Sequence, residues 1–175
     1  LEAFAAAGHH AETVAWDAGN VDALSKFDAC LLRATWNYYE DSDRFLKWID
    51  AAARHTLLLN SAPVVRWNLH KRYLLALADA GLPIIPTVVA PRGSRVDVAR
   101  LAAERSWSGG VMVKPAIGAG SWHARRFTPD DLPAAQAFVH ALCATMDAIV
   151  QPLAPGFAEP GERSLMWIGG AWTHA

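Results

Sequence analysis

The sequence predicts a mixed α/β (α+β) chain, and three observations carry that prediction. Over the first 62 residues, short apolar runs (ACLL, TLLLN) alternate with an amphipathic helical segment, the pattern of βαβ units with parallel strands. Beyond Pro63 the alternation of strands and helices continues, ending in a Gly-Gly turn between two strand-like segments. Hydrophobic residues make up 53% and charged residues 19% of the 175, a composition that folds around a core.

The elements follow in order. LEAFAAAGHH reads as a helix stopped at Gly8. ETVAWD is a short strand candidate, and ACLLRATW a second one. Phe45, Trp48, Ile49 and Ala52 fall at i, i+3, i+4 and i+7, so Ser42–His55 is predicted as a helix with Ser42 as its cap. TLLLNSAP lacks alternation, as expected for a strand buried on both faces. After Pro63 a helix is expected from an Asn68 cap to Gly81, with Leu69, Tyr73, Leu77 and Ala80 on one stripe. Strand IPTVV, helix VDVARLAAER, strand VMVKP, loop IGAGS and strand WHARRF come next. They are followed by helix DDLPAAQAFVHALCA, capped by Asp130 or Asp131 with Pro133 in its first turn, and by strand AIVQPL. The last predicted pair lies in ERSLMWIGGAWTHA.

Charge excludes some functions. With 16 Lys+Arg against 17 Asp+Glu, the net charge of −1 argues against a nucleic-acid footprint or a polybasic membrane surface. No apolar run approaches the ~20 residues of a membrane span, and nothing at Leu1 reads as a signal peptide. Cys30 and Cys143 sit in apolar stretches without metal spacing, as expected of buried thiols in a reducing, cytoplasmic setting. Eight tryptophans are many for this length, and a share of them should line clefts. Both ends read as cut: the chain opens inside a helix and closes within a strand pair.

Chemistry concentrates at a few positions. In the helix expected from Asn68, the first turn reads Leu69, His70, Lys71, Arg72, where acids are the norm. An anion at the helix start explains this; a solvated basic turn is the other reading. Lys114 closes an apolar strand and is followed by Gly118, Gly120 and Ser121. Glycines let backbone N–H groups approach phosphate oxygens, but the lysine precedes the loop, so this is not a Walker A motif. The glycines instead form a hairpin tip, either a mobile lid over a triphosphate or a plain turn. Gln151 and Leu153 end a strand where a purine edge and face could be read, and Glu159 and Glu162 in the next loop could accept from ribose hydroxyls. Each of these also has an ordinary reading as a strand end or a solvated acid.

Taken in order, Lys71, Lys114-Pro115-Ala116, Gly118-Ala119-Gly120-Ser121, Gln151-Pro152-Leu153 and Gly161-Glu162-Arg163-Ser164 resemble the ATP-grasp superfamily. The resemblance is closest to its glutathione-synthetase-like branch that includes O-ureido-D-serine cyclo-ligase. It rests further on Arg66–Lys71 (RWNLHK), Pro86-Thr87, VMVKPAIGAGS, GERSLMWIGGAWTHA, and Arg33–Tyr38 (RATWNY). The resemblance implies a Rossmann-like pre-ATP-grasp half domain without its first strand over residues 1–62. The ATP-grasp N-terminal, nucleotide-binding subdomain would follow over 63–150, and the start of the C-terminal subdomain over 151–175.

It also implies roles. Lys71 and Lys114 would grip nucleotide phosphates, Gly118 to Ser121 would form the lid, Gln151 to Leu153 the adenine-reading hinge, and Glu159 or Glu162 would take the ribose. The activity implied is an ATP-dependent, ADP-forming carboxylate–amine ligase working through an acyl phosphate. Its partners would be a small-molecule carboxylate and amine, with no nucleic acid and no membrane, and room for a homo-oligomer. ATP and Mg²⁺ are the implied cofactors. No convincing Mg²⁺ cluster occurs between Leu1 and Ala175, so the metal ligands are expected beyond Ala175, no catalytic residue is assigned, and turnover is expected of a longer parent protein. Trp36, Asn37, Tyr38, His123, Arg125, Arg163 and His174 are acceptor-side candidates. The alternative reading is a non-catalytic ATP-grasp-like nucleotide-binding or interaction domain; an unrelated α/β domain with surface lysines is a third.

Overall fold

A computed structural model describes residues 1–154 and 164–174. The chain divides into two compact units, one of residues 1–73 with 117–122, the other of 74–116 with 123–175.

In the first unit, helix α1 (Glu2–Ala6) ends where Gly8 takes φ +79°, a left-handed turn that glycine adopts without strain. ETVAWD does not form a strand. The chain turns there, with Gly19 N–H donating to the Ala15 carbonyl. Trp16 drops into the core edge-on to Phe45 at 5.1 Å, so burying one indole outweighs extended pairing. A 3-10 turn (Val21–Lys26), capped by the Asn20 side chain on Asp22 N, leads to strand β1 (Ala29–Leu31). Helix α2 (Ser42–His55) has the predicted bounds, but its cap is Asp41, which accepts from Arg44 N at 3.0 Å. Phe45, Ile49 and Ala52 are buried as the periodicity requires. Strand β2 (Leu57–Leu59) pairs parallel with β1, the predicted βαβ arrangement. Only Leu58 is buried, while Leu57 and Leu59 are exposed. The expectation of burial on both faces is thus corrected: helix α2 covers one side of a two-stranded sheet, and Leu57 and Leu59 point to the other.

The single helix expected from Asn68 is instead two. Helix α3 (Ala62–Leu69) begins with proline in its first turn, so Asn68 lies near its end rather than at its start. His70 is extended (φ −95°, ψ 124°), and helix α4 (Tyr73–Asp79) follows. Gly81, at φ +80°, stops α4, with Leu82 N–H bonded back to the Leu77 carbonyl.

The second unit is built on a sheet of four antiparallel neighbours in the order β3–β6–β4–β5. These strands are β3 (Val88–Ala90), β4 (Val111–Pro115), β5 (Arg125–Phe127) and β6 (Ala148–Pro152). WHARRF contributes only its last three residues to β5. Helices α5 (Val98–Glu104, capped by Asp97) and α6 (Leu132–Cys143, with Pro133 in its first turn) cover one face. Val111, Val113, Phe127, Ala148 and Val150 point into that layer. Strands alternate, so Met112, Lys114, Arg126, Ile149 and Gln151 belong to the opposite face, in register as Met112 beside Gln151 and Lys114 beside Ile149. Strands β7 (Met166–Ile168) and β8 (Ala171–His174) form the expected hairpin around Gly169 and Gly170. Cys143 is buried, Cys30 half-buried, and both are free thiols. Among the described residues no helix is long and apolar enough to cross a membrane.

Candidate functional site

Lys71 occupies the break between α3 and α4, not a helical first turn. Local bonds set the break: Arg72 N–H donates to His70 Nδ1 at 3.0 Å, and Tyr73 N–H to the His70 carbonyl at 3.3 Å. Trp67 packs against Tyr73 across it at 5.2 Å, and Arg66 on α3 pairs with Asp50 on α2. From this position the Lys71 ammonium donates to the Gly118 carbonyl at 2.9 Å.

The glycine-rich loop joins β4 to β5 as the expected hairpin connection. It is anchored through its backbone. The Gly118 carbonyl accepts from Lys71 and also from the Tyr38 hydroxyl at 3.2 Å. Trp122 packs on Tyr39 with ring centroids 4.9 Å apart. Gly120, Ser121 and His123 all take positive φ (+57°, +59°, +50°), a conformation costly for the two that are not glycine. Burial, and secondarily the neighbouring Tyr73 hydroxyl, pushes the Tyr38 phenol above its ordinary value, which keeps it a proton donor to the loop. Trp36, Tyr39, Ala119, Gly120 and Trp122 line a cavity of about 320 Å³.

In the second unit, Lys114 sits half-buried on the face of the sheet away from α5 and α6, in register with Ile149. Arg126, opposite Met112, puts a second cation on that face. The sequence reading missed Arg126; the hairpin register applied to strand alternation is the signal that finds it. Gln151 is buried and donates through Nε2 to Thr87 Oγ1 at 2.8 Å, and Thr87 Oγ1 donates to the Ile85 carbonyl at 2.7 Å. This side chain therefore ties β6 to the entry of β3. Leu153 N–H donates to the Gly110 carbonyl at 3.1 Å, extending the β4–β6 ladder.

The acceptor-side candidates separate. Asn37 accepts from Trp16 Nε1 at 2.7 Å and donates to Asp17 at 2.6 Å, a bracing role for the turn that carries Trp36. Arg125 lies over the Phe138 ring at 4.6 Å, on the helix-covered face. His174 is exposed on β8. Glu159, Glu162 and Arg163 lie outside the described residues. Among the described residues no three His, Cys, Asp or Glu side chains gather as metal ligands. A cavity of about 470 Å³ between α5 and α6, lined by Arg95, Asp97, Gln136 and His140 among others, contains none of the candidate site residues.

The fold is that of ATP-grasp ligases. A crystal structure of an ATP-grasp RimK domain protein from Sphaerobacter thermophilus matches over 88% of this chain and 58% of its own, at a TM-score of 0.57 and 22% identity. The crystal structure of D-cycloserine synthetase DcsG matches over 99% of this chain and 59% of its own, with a TM-score of 0.88 and 34% identity. The Cycloserine biosynthesis protein DcsG of Streptomyces lavendulae is 34% identical over the whole of this chain and 59% of its length. The family model of the D-cycloserine synthetase DcsG N-terminal domain matches residues 1–60. The chain is homologous to DcsG, an ATP-grasp ligase, and spans about 59% of the length of these relatives.

Proposed function

We propose that the protein carrying this chain is an ATP-dependent carboxylate–amine ligase that works through an acyl phosphate and releases ADP. Homology over the whole chain supports the class, and the observation that carries the site is the Lys71 ammonium held at the glycine-rich loop. In this reading Lys71 and Lys114 neutralise phosphate oxygens, and Gly118, Gly120 and Ser121 supply a backbone cover over them. Main-chain groups from Gln151 to Leu153 meet the adenine edge, the Gln151 side chain fixing that strand end through Thr87. Glu159 or Glu162 accepts from the ribose. The segmentation into 1–62, 63–150 and 151–175 belongs to the same proposal.

A substrate carboxylate oxygen attacks the γ-phosphorus, the bond to the bridging oxygen breaks, and ADP leaves. An amine then attacks the acyl carbon and loses a proton, and phosphate departs with the bonding pair. The reaction is mostly positioning and charge neutralisation. Magnesium would supply further neutralisation of the triphosphate when bound; its ligands are assigned outside this chain.

Calorimetric titration of ATP into the chain and into Lys71→Met and Lys114→Met tests the reading. Each substitution removes a charge-assisted contact, so about tenfold weaker binding is expected. Unchanged affinity in both variants overturns the nucleotide site. ATP binding without ADP release from the full-length protein, given carboxylate and amine substrates, favours instead a non-catalytic nucleotide-binding domain.

A further inference from the structure

We propose that the aromatic cavity formed by Trp36, Tyr39 and Trp122 beside the glycine-rich loop binds an ammonium group of a small-molecule substrate, distinct from the neutral amine that attacks the acyl carbon. The role as a substrate site rests on the ligase reading; the chemistry of the cavity does not.

It is lined by three aromatic residues together with Ala119 and Gly120, and none of the lining residues carries a charge. The rings offer no positive charge to a carboxylate or phosphate, whereas a cation that comes to lie over a ring face is attracted by it. Tyr39 and Trp122 already pack on each other, tilted by 30°, and so form one continuous wall. Trp36 forms the other and is 68% exposed, so its ring contributes little to any core.

The cavity is held in shape before any ligand arrives. Asn37, next to Trp36, is braced by Trp16 and Asp17, and Tyr38 is bonded to Gly118. On the loop side, left-handed Gly120 and Ser121 turn the chain so that Trp122 N–H closes on the Ala119 carbonyl at 3.0 Å. Preorganised walls of this kind cost little to order on binding. About 320 Å³ suits an alkylammonium group with a few attached heavy atoms.

The experiment uses alaninamide, which carries a primary ammonium, and propionamide, which replaces it with hydrogen. Binding is read from tryptophan fluorescence and from ¹H–¹⁵N shifts of residues 117–122. Alaninamide is expected to bind at least about fivefold more tightly. That preference should vanish in Trp36→Leu and in Trp122→Leu, and survive in part in Trp36→Phe. Because Trp36 is so exposed, its variants should fold, which far-ultraviolet circular dichroism checks. Equal binding of the two amides, or a full preference in the Trp36→Leu variant, overturns the proposal. ATP affinity is measured separately on the same protein. If ATP fails to bind while the alaninamide preference persists, the ammonium site is supported and the ligase reading falls.

Discussion

The Lys71 ammonium and the Gly118 carbonyl are hydrogen-bonded at 2.9 Å although 47 residues separate them. The contact ties the break between two helices to the loop that joins two strands. Any anion that draws Lys71 away competes with that carbonyl, so the lysine proposed to hold phosphate also holds the loop. Lys71→Met is therefore expected to raise amide hydrogen exchange over residues 117–122 about tenfold without ligand, as a bond from a charged donor is lost. Unchanged exchange there would mean that the contact does not restrain the loop.

Tyr38 makes the second bond to Gly118, and its phenol is pushed above the ordinary value of 10.0, chiefly by burial. A raised folded value means that the contact is fully present below pH 10 and is lost as pH rises through the folded value. Loop exchange, corrected for its intrinsic pH dependence, should thus stay flat up to about pH 10 and increase beyond it. Tyr38→Phe should exchange faster at every pH and show a smaller upturn. An identical upturn in that variant would assign it to another group.

Gly110 has φ +94°, and a Cβ placed on it would lie 2.2 Å from the Phe127 carbonyl oxygen. Strand β5 cannot yield without losing its pairing with β4 at Val111 and Phe127. Gly110→Ala is expected to destabilise the fold by about 3 kcal/mol or more, read by urea unfolding. A change under about 1 kcal/mol would show that the β4–β5 pair tolerates separation.

Thr87→Val keeps the shape of the side chain and removes the acceptor of the buried Gln151 amide. Leaving that donor unmet should cost about 1–3 kcal/mol. In Thr87→Val with Gln151→Leu, both partners are apolar and much of the loss should return. Additive losses in the double variant would refute the coupling.

Cysteine alkylation gives an independent check of the packing. Burial pushes the Cys30 thiol up, which lowers its thiolate fraction. At pH 8 it should react with iodoacetamide several-fold more slowly than a small free thiol. Buried Cys143 should react only after unfolding. Mass spectrometry of partly labelled protein follows both; rapid labelling of Cys143 would contradict its burial at the end of α6.

Local pattern alone was enough for helix α2, for the strands β4 and β6, for the hairpins, and for the stops at Gly8 and Gly81. These depend on side-chain period and backbone freedom, which neighbouring residues fix between them. Lys71 and the glycine-rich loop stand out in the sequence and meet in the fold, but Lys71 lies in a break between two helices rather than in a helical first turn, because α3 already begins at Ala62 and His70 leaves the helix. Tertiary structure decided what depends on partners far along the chain. Trp16 could only be taken from its strand by Phe45 and Asn37, and Leu57 and Leu59 were exposed because one layer of helix covers one side of β2. The aromatic cavity needed Trp36 and Tyr39 to meet Trp122, more than 80 residues away in the sequence. Residue types set which contacts each side chain can make; only the folded chain, by balancing burial against backbone pairing, selects which of them are made.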